Sequence, residues 1–210
     1  MLISCIVPAF NASTTIVQTL ASVFDTALPN EWSVEVLVVD DGSSDSAALA
    51  TVVGIHPNAR LLVHETNRGT CAGRNTGIAA SHGDIVIMLD SDDELVPGWP
   101  AVVAAVMKEW PTNTHVCYFA CHNTEGKVTA ENPSYSGALT LSDMLNERYS
   151  GEYIPVFRGD YVRGKQYIDL GMPKPCEIVS YINFAHDGPF WISNLILRIY
   201  HEGNIGSLTH

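Results

Sequence analysis

"GDIVIMLDSDDELVPG", residues 83–98, decides the fold. Its first half is a short, continuous apolar run, Ile85 to Leu89, as in a strand buried on both faces. Its second half places Asp90, Asp92, Asp93 and Glu94 within five positions, just before Pro97 and Gly98. A helical pattern, "GWPAVVAAVMKEW", follows the acidic turn. Carboxylates this close repel each other, and a hard divalent cation, Mn2+ or Mg2+, relieves the repulsion when it is shared with a substrate's phosphates. By themselves the acids serve equally well as caps for the helix that opens near Pro97, or as solvated turn residues.

The same strand–turn–helix unit recurs upstream. "LISCIVPAF" reads as a buried strand stopped by Pro8, and "NASTTIVQTLASVFDTA" as a helix capped by Asn11 or Ser13. "VEVLVVDD" is a strand apolar on both faces, "DSAALATVVGI" a helix, "ARLLVHE" a third strand and "TCAGRNTGIAAS" a small-residue helix that suits close packing on a sheet. Strands alternating with helices predict crossover units, hence an α/β fold with a Rossmann-like, mostly parallel sheet flanked by helices. Ligands of such sheets sit beyond the carboxyl ends of the strands. Those ends are "PAFN", "VDDGSSD", "ETNRG" and "LDSDDE", all polar or turn-forming.

After residue 110 the pattern loosens. "HVCYFACH" and "KVTAEN" predict a hairpin around "NTEGK". "TLSDMLNERYS" predicts a short helix, "YIPVFRGDYVRG" a strand that turns, "CEIVSYINFAHDG" a helix and "FWISNLILRIYH" a last strand. Two halves, 1–110 and 111–210, are expected to pack as one globular unit, the second being a smaller lobe. His115, Cys117, Cys121 and His122 invite a zinc reading. Residues spaced along one straight strand cannot close a tetrahedron, so a core strand is expected there.

Eleven basic against 23 acidic side chains give a formal net charge of -12. This argues against nucleic acid as a partner and against polybasic anchoring to an anionic membrane. It leaves room for peripheral membrane association and for a homodimer. Five cysteines, an odd number in a chain of 210 residues, do not suggest a disulfide framework. The opening "MLISCIVPAF" lacks a basic leader, and no apolar run approaches the ~20 residues of a spanning helix. A cytoplasmic protein, acting in the cytoplasm or at the inner face of the membrane, is the expectation.

Within this frame Asp40 and Asp41 can accept from a base or ribose, although an Asx turn suits them too. Arg74, with Arg68 before it, offers a planar fork matched to phosphate oxygens, or a surface salt bridge. There is no phosphate-loop signature, and "GTCAG" is not the glycine pattern of a dinucleotide site.

Taken together, "IVPAFN", "VLVVDDGSSD", "NRGTCAGRNTGI" and "GDIVIMLDSDDELVPG", in that order, resemble the nucleotide-sugar glycosyltransferases of family 2, which have the GT-A fold. The resemblance is close over roughly the first hundred residues. It implies that Pro8, Ala9, Phe10 and Asn11 line the nucleotide base, that Asp41 bonds the base, and that Asn67, Arg74, Asp90, Ser91 and Asp92 complete the nucleotide-sugar site. It implies a metal held by Asp92 and Asp93, with a late histidine, His201, beside it. In the second half it implies a carboxylate opening an acceptor-side helix as general base. Glu177 stands at that place, with Cys176 where the family usually has an acid. The implied activity is metal-dependent, inverting transfer of a sugar, UDP-linked for preference, to a hydroxyl of a glycan or lipid-linked acceptor. A non-catalytic nucleotide-sugar binding protein of the same fold is the alternative.

Overall fold

The valine- and isoleucine-rich runs pair side by side in the computed structural model, which describes residues 1–146, 150–169 and 177–201. Strands β1 (Leu2–Ala9), β2 (Ser33–Asp40), β3 (Ala59–Val63) and β4 (Ile85–Met88) are parallel and lie in the order β3-β2-β1-β4. Between them run α1 (Ile16–Phe24), α2 (Ser46–Val53) and α3 (Thr70–Ala80). The two-residue β5 (Glu94–Leu95) and α4 (Trp99–Met107) follow β4.

The second half contributes β6 (Val116–Asn123), β7 (Gly137–Leu139), α5 (Leu141–Leu145), β8 (Tyr153–Arg158), α6 (Gly159–Val162), α7 (Glu177–Ala185) and β9 (Phe190–Tyr200). The sheet continues through β4-β8-β6-β9, with β8 antiparallel to both neighbours and β6 parallel to β9. Along its other edge β9 pairs antiparallel with β7 near its start and with β5 near its end. The sheet is therefore parallel in the first half and mixed beyond β4. Among the described residues all nine strands belong to it.

The period of two sorts side chains onto two faces. On β1, Ile3, Cys5, Val7 and Ala9 join a cluster with α1, α2 and α4, while Ile6 faces a second cluster with α3 and α7. On β6, Cys117, Phe119 and Cys121 enter the first cluster, as a core strand requires. His115 instead stacks on Tyr161, with ring centroids 4.4 Å apart, and His122 Nδ1 lies 2.7 Å from the Asn123 carbonyl oxygen. No disulfide forms among the described cysteines; Cys176 lies outside the described residues. No described helix is long and apolar enough to cross a membrane.

The hairpin expected around "NTEGK" shrinks to a turn with a single antiparallel bridge, His122 to Val128. Its physical reason is edge occupancy. β8 holds one edge of β6 over Val116–Ala120 and β9 holds the other, so only the last residues of β6 are left for a returning segment.

Helix α3 approaches the sheet closely because it is built from small residues. A Cβ on Gly73 would lie 3.2 Å from Pro8 Cβ, and one on Gly77 would collide with Ile6 Cγ2. In an open helix, Gly→Ala stabilises by about 1 kcal/mol. At Gly77 the sign should reverse: Gly77→Ala is expected to destabilise by about 1–3 kcal/mol through overpacking. A lowered urea midpoint at unchanged slope would check this.

Candidate active site at the carboxyl edge of the sheet

β1 and β2 end in register, Ala9 beside Asp40, and the Leu89 N–H donates to the Ile6 carbonyl at 3.0 Å, so the turn after β4 opens on the same edge. α1 holds that turn from one side. The Thr19 hydroxyl donates to the Ser91 carbonyl at 3.0 Å, and the Leu95 N–H donates to Ser22 Oγ at 3.0 Å. This gives a buried threonine on the inner face of α1 a purpose that packing alone would not. The Asp93 N–H closes the turn onto the Asp90 carbonyl at 3.2 Å.

The acids of the turn face different surroundings. Asp90 keeps a side chain 38% exposed, whereas Asp93 is buried at 1%. Arg198, from β9 and itself buried, reaches both: its Nη1 is 3.2 Å from Asp90 Oδ2 and 3.1 Å from Asp93 Oδ2. Its Nη2 lies 3.3 Å from Glu152 Oε2, and its Nε donates to Cys121 Sγ at 3.2 Å. Burial pushes the Asp93 carboxyl up to about 7, against the pull of Arg198 and with some help from the charge of Asp90.

Arg74, buried on α3, takes the other oxygen of Asp90, with Nη2 3.1 Å from Oδ1. Its Nη1 is ion-paired with Glu177 Oε2, at the first residue of α7. Its guanidinium carbon lies 5.3 Å from the centroid of the Tyr167 ring. That ring is held by reciprocal bonds between Asn75 and the Tyr167 backbone, at 2.9 and 2.7 Å. Desolvation would lower the Arg74 pKa, but Glu177 and Asp90 hold it well above its ordinary value. Two buried guanidinium groups thus share Asp90, and one of them also grips Glu177.

The residues expected to line a nucleotide divide into scaffold and surface. Asp41 is buried, and both of its oxygens are engaged: Oδ1 lies 2.6 Å from His64 Nδ1, Arg68 N–H donates to both oxygens at 3.0 Å, and Gly69 N–H donates to Oδ2 at 2.7 Å. It anchors the loop that opens α3. In Asp40, Oδ1 accepts from Ser43 N–H at 2.9 Å, while the buried Oδ2 has no hydrogen-bond partner, as is true also of Asp45 Oδ1. Burial pushes the Asp40 pKa up, but bonds from Ser43 and Ser46 outweigh it and leave the group lowered. Asn11, at φ 52, ties β1 to the serine loop, with Oδ1 accepting from Ser44 N–H and Oγ at 2.9 Å. Phe10 is 51% exposed beside it, and Pro8 is partly exposed. Asn67 is exposed, its Oδ1 accepting from Gly69 N–H at 3.1 Å.

The expected metal set of Asp92, Asp93 and His201 does not assemble. Asp93 is turned inward onto Arg198. His201 lends its backbone N–H to Asp93 Oδ1 at 2.9 Å and places Nε2 2.9 Å from Glu94 Oε1. Among the described residues no three His, Cys, Asp or Glu side chains converge to hold a metal. A buried cation, Arg198, already balances part of the acidic turn. Asp92 is partly exposed.

Arg198, Glu152 and Tyr167 were not singled out from the sequence. For Arg198 there was a signal: an arginine between Leu197 and Ile199 in an apolar strand must bury its charge, and a buried charge needs a partner. Nothing local to Glu152 or Tyr167 pointed to the site.

Comparison with known proteins identifies the family and the fold. Residues 4–160 match the model of a family described as glycosyl transferase family 2. The succinoglycan biosynthesis protein ExoU of Rhizobium meliloti is 41% identical over 95 residues, which are 44% of this chain and 27% of that protein. A Campylobacter jejuni GalNAc(5)-diNAcBac-PP-undecaprenol beta-1,3-glucosyltransferase is 24% identical over 216 residues, 97% of this chain and 66% of that one. The chain thus spans less than two thirds of either relative. The crystal structure of S. aureus TarS 1-349 in complex with UDP-GlcNAc superimposes with a TM-score of 0.79 at 19% identity, covering 100% of this chain and 61% of that one. This last likeness shows the fold.

The raised pKa of Asp93 means that the folded state binds more protons than the unfolded one between pH ~4 and about 7. Its contribution to stability is full below that window and is lost as pH rises through it. Removing Arg198 strips both carboxylates of their buried cation. Arg198→Met is expected to cost about 3–5 kcal/mol, and to cost more at pH 8 than at pH 5, where Asp93 takes a proton. Urea unfolding at both pH values measures this; equal costs would place the loss in packing instead.

Proposed function

The chain belongs to glycosyl transferase family 2, and from that premise we propose that it moves a sugar from a nucleotide diphosphate, UDP for preference, to a hydroxyl of an acceptor, with inversion. The observation that carries this reading is the arrangement Asp90–Arg74–Glu177: a donor-side acid and an acceptor-side carboxylate held by one guanidinium at the strand ends. UDP-GlcNAc in the TarS complex supports the donor class, and the names of the two relatives support a bacterial polysaccharide or lipid-linked glycan as product.

Phe10, exposed at the end of β1, offers a ring face to the base. Asp40 offers the buried, unpartnered oxygen that a base or ribose donor would satisfy, while Asp41 shapes the loop. Asp90 and Ser91 lie where the donor's ribose and sugar would enter. Glu177 takes the proton of the acceptor hydroxyl as its oxygen bonds to the anomeric carbon, and the bond from that carbon to the diphosphate breaks. Arg74 orients Glu177 and keeps positive charge beside the departing diphosphate. A divalent cation, Mn2+ or Mg2+, would supply further charge neutralisation there, held by Asp92 together with the donor's own oxygens and water.

The test is release of nucleotide diphosphate from a panel of nucleotide sugars with manganese, with magnesium and with chelator. Glu177→Gln is expected to lower turnover by about 10²–10⁴-fold while donor binding by calorimetry stays close to native. Donor binding without release by the native protein, in a broad acceptor mixture, would make it a binding protein instead. A chain that binds no nucleotide sugar would overturn the reading.

A further inference from the structure

A cavity of about 300 Å³ opens between β7, α5 and the start of β8. That is at the lower end of ligand pockets, which run from roughly 300 to 1,000 Å³, and it suits one compact ring rather than a chain. Its wall combines two tyrosines, Tyr135 and Tyr153, with Glu131, Asn132 and Asp143. Among the described lining residues there are two carboxylates and neither lysine nor arginine. Phenol rings present flat apolar faces to C–H groups, and carboxylates and amides pair with hydroxyls or an amino group.

The cavity is linked to the active edge in two ways. Glu152, the residue before β8, is ion-paired with Arg198, which holds Asp90. The Tyr153 ring stacks on Tyr118 with centroids 5.8 Å apart, Tyr118 meets Tyr181 edge-on at 5.5 Å, and Tyr181 Oη lies 3.5 Å from Glu177 Oε2. Three rings therefore lead from the cavity wall to the carboxylate proposed as base. The Tyr135 hydroxyl donates to the Ala138 carbonyl at 2.7 Å, and Asp143 is fixed by its capping bonds from Thr140 at 3.0 and 2.6 Å, so these walls are set in place beforehand.

We infer that this cavity is a subsite for one neutral or amino-bearing sugar unit of the acceptor, set back from the reacting hydroxyl. The inference deepens the proposed function and rests on it for the term acceptor. Binding of a sugar in the cavity can be measured without transfer.

The probes are methyl glucoside, methyl N-acetylglucosaminide, methyl glucosaminide and glucose 6-phosphate, followed by saturation-transfer NMR on the native chain. Ala138→Trp, at an exposed position of the cavity wall, fills the space; Tyr135→Ala removes one ring. UDP binding by calorimetry on each sample reports whether the fold and the donor site persist. At least one uncharged or amino glycoside should bind, about three- to tenfold more weakly to Tyr135→Ala and not at all to Ala138→Trp, with UDP binding kept in all three. Glycoside binding that is absent, or equal in native and filled proteins, or strongest for glucose 6-phosphate, overturns the subsite. If the native chain binds glycosides in a cavity-dependent way but no UDP, the proposed function falls and the sugar site stands. If it binds UDP but no glycoside, only the subsite falls.

Discussion

A guanidinium buried to 3% exposure, Arg198, is the charge on which the acidic turn depends. Asp93 is buried at 1%, and a carboxylate taken out of water costs several kcal/mol unless its neighbours compensate. Arg198 compensates Asp93 and half of Asp90 at once and draws Glu152 to the same edge. Because Arg198 lies on β9 and Asp90 follows β4, the pairing also fixes how the end of the second half meets the end of the first. It acts where the sheet itself is least regular, since the β6–β9 register slips at Phe119–Cys121.

The second constraint is the closeness of α3 to the sheet. Gly73 and Gly77 bring Arg74 low over the strand ends, where it is buried and must spend its charge on the carboxylates within reach. A larger residue at either glycine would lift the helix and with it the guanidinium. Small-residue packing and the ion pair of Asp90 with Glu177 are thus one feature at two levels: helix composition sets helix height, and helix height sets which acids Arg74 can span.

The parallel half of the fold was legible because its signals are local. Apolar runs of four to eight residues, bounded by turn residues and alternating with helical periods, can be read one at a time. Asp90 and Glu177 could be singled out because one follows the apolar run of β4 and the other opens α7, and Arg74 because it is the one large charged side chain in the small-residue helix α3. What escaped was set by partners distant in sequence. Nothing near Asp41 says that His64, Arg68 and Gly69 will claim its oxygens, and nothing near Asp93 says that it will turn inward onto a strand 105 positions later. The "KVTAEN" strand failed for the same reason, because the edge it needed on β6 was taken by β8 and β9. The short strands β5 and β7 carry too few residues to show a period.

Such long-range pairing has a consequence for coupling across the site. Asp90 is the acid that both arginines hold, and at 38% its side chain is more exposed than those of Glu177, Asp93 and the two arginines. A donor group that competes for an oxygen of Asp90 must be weighed against Arg74 or Arg198. If it draws on the Arg74 side, it weakens the contact that spaces Asp90 from Glu177, and Arg74 can then settle further onto Glu177. If it draws on the Arg198 side, the loss falls on Asp93, whose buried charge has few other partners. The first route costs less, because Arg74 keeps Glu177 as a partner, whereas Asp93 sits at 1% exposure. A change at Asp90 is therefore felt first at Glu177, because the two carboxylates share one guanidinium.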